Sequence, residues 1–260
     1  MTKITTTSTF RALIGAALLS MTFSAYAGAA PTSVQTPGNA RSLKELTTTD
    51  SPAWPMVKQM LASAPNVEVL PVNQVQAERT LMALQVTTRS PMGAIVYNTG
   101  GILVDHGWLR ILGSGSAKLP RSLTDWNHRN SAVDAAGRPT LLLIADDVLG
   151  GFFAVNGGAL PGQLGNVFYF APDSLEWEDM GTGYSGFVQW ALSPKMYTFY
   201  GEDQWKDWEA EVRKLKGDQA MSVYPPLWTK GPAIEQRSRK PASVQDLFDF
   251  SMNTKKQLSK

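Results

Sequence analysis

Apolar residues in this chain come in short runs, and in one stretch these are bounded by Gly, Asn, Asp and Pro, which is how strands joined by tight turns read in sequence. That stretch runs from Leu141 to Leu192. It predicts a strand from Leu141, an acidic glycine turn, and a strand over Phe152–Val155. A glycine loop, strands over Asn166–Phe170 and Leu175–Glu178, and a helix opening near Ser185 follow.

Upstream, Trp54, Val57 and Leu61 mark one helical face, with Asp50-Ser51-Pro52 as its start signal and Pro65 beyond its end. Val67–Leu70 reads as a strand, and Asn73 caps a second helix with Val75, Leu81, Met82 and Val86 on its apolar face. Ala94–Tyr97, Ile102–Val104 and Trp108–Leu112 read as a three-stranded meander with turns at 98–101 and 105–107. Gly113-Ser114-Gly115-Ser116 then predicts a flexible loop, and residues 120–139 an exposed excursion around Trp126. Downstream, Trp205, Trp208, Val212 and Leu215 form a helical stripe. Val223–Trp228, with two prolines, fits an edge strand or an extended segment, and a last helix over Val244–Phe250 packs Leu247 and Phe250 inward, leaving 251–260 as a basic tail. With no composition break inside 41–250, the chain reads as a single α+β domain with a mixed, mostly antiparallel sheet packed by helices.

The N-terminus stands apart. Lys3 and Arg11 precede the apolar run Ala12–Phe23, which ends at Ala25-Tyr26-Ala27. A basic start, a short apolar centre and a small-x-small site define a signal peptide over 1–27, followed by a Pro/Gly linker over 28–40. This changes the charge picture. The whole chain carries 24 Lys/Arg against 22 Asp/Glu, and both surplus basic residues lie in the signal segment. The mature chain is therefore neutral, with no field to draw nucleic acid. Periplasmic or secreted localisation follows, with no stable membrane insertion once the signal is removed. The 260 residues include no cysteine, so neither disulfides nor thiolate chemistry can contribute.

Candidate chemistry is sparse. Asp105-His106 with Ser114 or Ser116 supplies the residue types of a hydrolytic triad, but no G-x-S-x-G elbow accompanies them. His106 and His128 lack metal-ligand spacing, and Asp146-Asp147 has no calcium-loop ladder. Glu176 and Glu178 flank Trp177, as paired acids beside an aromatic platform do in sugar sites. On a strand, however, they share a face opposite Trp177. The glycine pairs lack nucleotide-binding context, so no cofactor and no metal is expected.

Several long runs resemble one bacterial family. They are Val86-Thr87-Thr88-Arg89-Ser90-Pro91-Met92-Gly93-Ala94, Gly107-Trp108-Leu109-Arg110-Ile111-Leu112-Gly113-Ser114-Gly115 and Gly150-Gly151-Phe152-Phe153-Ala154-Val155-Asn156-Gly157-Gly158. Tyr169-Phe170-Ala171-Pro172-Asp173-Ser174-Leu175-Glu176-Trp177 and Tyr224-Pro225-Pro226-Leu227-Trp228 continue the likeness. From about Ser42 to Lys240 the chain resembles proteins catalogued as domain of unknown function 2625, for which the resemblance implies no activity. The central stretch, through the helix Tyr184–Leu192, is also similar to the SUKH superfamily. That similarity implies an α+β binding module, with immunity proteins that mask toxins among its members.

Together these readings favour a non-enzymatic protein-binding module with a toxin or envelope protein as partner. Loops 113–139 and 156–165 would carry recognition. Asn156 stands at the start of the second loop, and Asp146, Asp147, Asp173, Glu176 and Glu178 would steer a basic partner. The alternative is a periplasmic hydrolase acting on cell-wall sugar or peptide material, with Glu176, Glu178 or His106 in acid/base roles.

Overall fold

A computed structural model describes residues 40–259. The expected signal peptide over 1–27, and the 28–40 linker up to its last residue, lie outside the described residues. The described chain is one α+β domain. It opens with α1 (Leu43–Thr47), α2 (Trp54–Ser63), β1 (Val67–Leu70), α3 (Gln74–Leu84) and α4 (Pro91–Asn98). Next come β2 (Gly101–Val104), β3 (Leu109–Leu112), α5 (Leu123–Asn130), β4 (Leu141–Asp147), β5 (Phe152–Asn156), β6 (Asn166–Ala171) and β7 (Glu176–Gly183). The last part holds α6 (Tyr184–Ala191), α7 (Pro194–Tyr200), α8 (Trp208–Val212), β8 (Gln219–Tyr224), β9 (Ser238–Ser243) and α9 (Val244–Leu258). β1 to β7 form a seven-stranded sheet in sequence order, every neighbour antiparallel, and β8–β9 form a separate two-stranded sheet.

The uninterrupted apolar runs of the central strands have a simple cause: both faces of the sheet are covered. Adjacent strand residues point to opposite faces. Phe152 contacts the rings of Phe170, Trp126 of α5 and Phe248 of α9. Its neighbour Phe153 contacts Tyr169 and, from α6, Phe187 and Trp190. Helices α5 and α9 thus close one face and α6 the other. Burying both aromatic layers contributes about 1.5–3 kcal/mol per large side chain, and it sets the register through the cross-strand pairs Phe152–Phe170 and Phe153–Tyr169.

The central stretch adopts the expected elements, and β1 and the cap of α3 match as well: the Asn73 side chain accepts the Gln76 amide. Elsewhere local chemistry overrides the pattern. Ala94–Tyr97 is helical, because Ser90 caps α4 by accepting the Gly93 amide at 3.0 Å and Pro91 occupies its first turn. Those start signals outweigh the β-branched run, and β1 rather than 94–97 pairs with β2. Helix α2 begins at Trp54, with Ala53 in the capping position and Pro55 in the first turn, so Asp50-Ser51-Pro52 is not its cap. On α3 the buried side is Ala77, Thr80 and Leu81, while Val75 is 58% exposed and Met82 also faces outward.

The 113–116 segment is packed, not flexible: buried Ser114 donates its hydroxyl to the Thr99 carbonyl at 2.9 Å, and the Gly115 amide bonds to the Gly100 carbonyl. Trp126 is buried on α5, so 120–139 is only partly an exposed excursion. The Trp205–Leu215 stripe shortens to α8, because Asp207 takes a left-handed conformation (φ 64°) before it. The basic tail is part of α9, whose inward residues are Val244, Phe248 and Ser251; Phe250 is 53% exposed and meets the Trp228 ring.

Replacing Ser90 with Ala should remove the α4 cap and lower unfolding free energy by about 1 kcal/mol, measured by urea denaturation. An unchanged midpoint would show that packing alone holds α4.

Candidate functional site

Arg110 interrupts the buried β3 strand, a signal that it has a buried partner. That partner is Asp146, its cross-strand neighbour on β4. Asp146 Oδ1 meets Arg110 Nη2 at 2.5 Å, and its Oδ2 meets Arg121 Nη1 at 2.7 Å. Arg110 also donates to the carbonyls of Asp147 and Gln219, and Arg121 to that of Gly217, with its guanidinium over the Trp126 ring. Asp147 points to the opposite face. Its Oδ1 accepts the amides of Leu149 and Gly151 at 2.9 and 2.8 Å, and its Oδ2 accepts the hydroxyls of Tyr169 and Tyr200 at 2.8 and 3.0 Å. Burial pushes the Asp147 carboxyl above its ordinary value, against the pull of these four donors. Gly151 leaves the carboxylate its space, since a Cβ there would lie 2.2 Å from Asp147 Oδ2.

The acidic set is therefore not one steering surface. Asp146 and Asp147 are fully buried. Asn156 is also buried and holds its own loop, accepting the Gly158 and Leu160 amides and donating to the Leu160 carbonyl. Asp173 and Glu178 are half-buried, Glu178 lying opposite Tyr169 in the register. Glu176 is exposed and paired with Lys255 of α9. Beyond Asn156 the 156–165 loop is largely exposed, with Leu164 at 65%.

Register also separates the triad candidates. Val104 pairs with Leu109, which places the 105–108 turn at one end of β2–β3; Ser114 and Ser116 follow Leu112 at the other end. His106 therefore cannot meet either serine. By the same logic the 156–165 loop, next to the Leu141–Asn156 pair, lies at the opposite end of the sheet from the His106 turn, next to the Leu109–Asp147 pair. His128 is exposed on α5, and among the described residues no group of three or more His, Cys, Asp or Glu could hold a metal ion.

The His106 turn forms a wall of a cleft of about 490 Å³, between β1 and the segment that follows α8. Asp105, His106 and Gly107 have φ of 49°, 58° and 93°. Consecutive left-handed residues are costly and persist only where the surroundings over-determine them. Here Asp105 is buried and accepts from Gln204 Nε2 at 3.0 Å; burial raises its carboxyl, and the Gln204 bond opposes that. Beneath the turn Trp108 packs against Trp205, Trp208 and Tyr200. The turn aims His106 at α8, where its Nε2 lies 3.3 Å from Glu209 Oε2 and 3.2 Å from Arg213 Nη2. Lys118, Arg213 and Lys216 supply cations to the cleft lining, Glu68 is its one acidic lining residue, and Arg110, 3% exposed, reaches it from within. Sequence reasoning found His106 but missed this cationic group, because residues 110, 118, 213 and 216 converge only through the fold. The one signal within reach was an arginine inside an apolar strand.

Fold and cleft define a single-domain α+β protein with an antiparallel meander, helices on both faces and a cationic cleft at one sheet end. The chain belongs to the family described as "Protein of unknown function DUF2625", whose model matches residues 43–247. It is similar to the uncharacterised Escherichia coli protein YbfG, 45% identical over 216 residues, covering 83% of this chain and 97% of that one. An uncharacterised Haemophilus influenzae protein is 39% identical over 217 residues, covering 83% and 95%. No solved structure matches. Among the described residues no helix is long and apolar enough to cross a membrane.

Asp146→Ala leaves two buried guanidiniums unpaired and should lower stability by about 3–5 kcal/mol, measured by denaturant unfolding. Asp147→Asn should behave differently. With the folded carboxyl raised, its contribution to wild-type stability is fully present below the ordinary aspartate value and is lost as pH rises through the raised one. Asn does not ionise, so the wild-type melting temperature relative to the variant should fall as pH rises above the ordinary aspartate value of about 4. A constant difference above that value would contradict the assignment.

Proposed function

We propose that the protein is an exported, non-enzymatic protein-binding module that meets its partner at the cleft face. Export rests on the Lys3/Arg11, apolar run and Ala25-Tyr26-Ala27 pattern. Binding rests on one observation above all: cationic side chains from three separate segments converge on a cleft. Clefts with few, convergent polar groups on apolar walls are where folds bind. The likeness of Leu141–Leu192 to SUKH modules points the same way, toward an immunity-like or inhibitor-like role. One observation favours a second reading, a hydrolase acting on cell-wall material: His106 lines the cleft with Glu209 at 3.3 Å, a pairing that suits acid/base work.

Affinity capture from an envelope extract, followed by mass spectrometry, tests the proposal. The wild type, and a chain with residues 157–165 exchanged for a Gly/Ser loop, should retain one dominant protein, and Arg213→Glu/Lys216→Glu should lose it. Loss on the loop exchange alone would move recognition to the far end of the sheet. If a folded chain captures nothing and instead releases soluble fragments from peptidoglycan, with that release lost in His106→Gln, the second reading replaces the first.

A further inference from the structure

The cleft's chemistry is more specific than its charge alone, and we infer that it seats an acidic side chain, Asp or Glu, presented between aliphatic residues on an extended segment of the protein partner. The inference rests on the binding-module reading. Three observations carry it.

The first is an imbalance of charge. Lys118 is paired with Glu68 at 2.5 Å, and Arg213 shares Glu209 with His106 at a long 3.6 Å. The exposed Lys216 ammonium meets no acidic side chain among the described residues. Behind them, a single Asp146 carboxylate serves both Arg110 and Arg121. The second is an incompletely satisfied arginine. Arg110 lines the cleft, is nine-tenths buried or more, and its Nε has no hydrogen-bond partner. Buried donors are nearly always satisfied, so Arg110 is a cation that its own fold compensates incompletely. A bond from a guanidinium to an anion is among the stronger kinds, and screening by solvent is weak there.

The third observation selects the kind of anion. Val67, Leu103, Val212 and Leu215 line the same space. A hydrated inorganic ion gains nothing from such walls. A carboxylate on a methylene stem, with aliphatic neighbours, uses both the walls and the charge. Glu68, Leu103 and Arg110 of the lining are register partners across β1, β2 and β3, so the cleft lies over one face of the sheet at its β1 border. An extended segment laid over that face turns alternate side chains toward the cleft.

The test is fluorescence anisotropy on the purified full chain, with a fluorescein-labelled peptide of alternating Glu and Leu and its Gln/Leu counterpart. The Glu/Leu peptide should bind at least about tenfold more tightly than the Gln/Leu peptide. Arg213→Glu/Lys216→Glu should erase that preference while near-ultraviolet circular dichroism stays native. If the double reversal does not fold, Lys216→Gln takes its place, with a smaller loss of preference expected. Equal binding of both peptides, or an unchanged preference in a folded variant, overturns the inference. Thermal protection by sodium phosphate without peptide binding assigns the cleft to a free oxyanion and also overturns it. Any of these failures leaves the binding-module reading to its own capture test, since a partner can dock on this face without an acidic anchor.

Discussion

One carboxylate held between two guanidiniums is the constraint on which the structure depends. Taking these three charges out of water is costly, and only close pairing makes it tolerable. Asp146 therefore fixes where Arg110 and Arg121 can lie. Through their further bonds to the carbonyls of Gly217 and Gln219, it also fixes how the last third of the chain meets the sheet. The Met221 amide bonds to the Val148 carbonyl, and the Val244 amide to that of Asp218, so β8 and the start of α9 follow from the same anchor. An apolar cluster could fill the same volume, but it would not impose one angular arrangement; paired charges with directional bonds do.

Asp147, the next residue, does the same on the other face. Its four donors come from the 148–151 turn, β6 and α7. Two adjacent acids on one strand thus clamp the two layers that cover the sheet, each with its own partners. This is why the acidic pair, which in sequence suggests a charged surface, contributes nothing to the surface. The exterior charge that remains organised in space is cationic, and it gathers at the turn end of β2–β3, where Asp105 and His106 hold left-handed backbone over a tryptophan nest.

Much of the fold was legible in the sequence because its signals are local. The Leu141–Leu192 stretch declares its turns with Gly, Asn and Asp at each boundary, and the Asn73 cap is written beside its helix. Ala94–Tyr97 misled because β-branched residues in a short run serve a buried helix as well as a strand. The deciding information, Ser90-Pro91, sat just ahead of the run. The 113–116 glycines read as freedom but serve close backbone approach to Thr99 and Gly100. The site was far less legible. Asp146 and Asp147 were visible as residues, but their burial is a property of five elements meeting, and the cleft joins positions more than a hundred residues apart. His106 alone carried a local mark, an Asp-His-Gly turn.

Arg110 connects the two halves of this picture. It completes the buried ion cluster and also lines the cleft, so the anchor that holds the fold also shapes the candidate binding surface. Burial pulls its guanidinium below the ordinary arginine value, with Asp146 opposing that shift, the sign of a charge whose lost hydration is incompletely replaced. A cation in that condition has more to gain from a further anion than a solvated lysine does, because little water need be displaced from it when the anion arrives. The solvated rim cations Lys118, Arg213 and Lys216 act at longer range and fall under screening by salt. For the binding proposed above, this divides the labour: the rim would govern approach, and the buried arginine would govern what stays. A fold that spends two acids on internal clamps leaves its arginines only partly compensated, and one of them, Arg110, lies in the cleft lining.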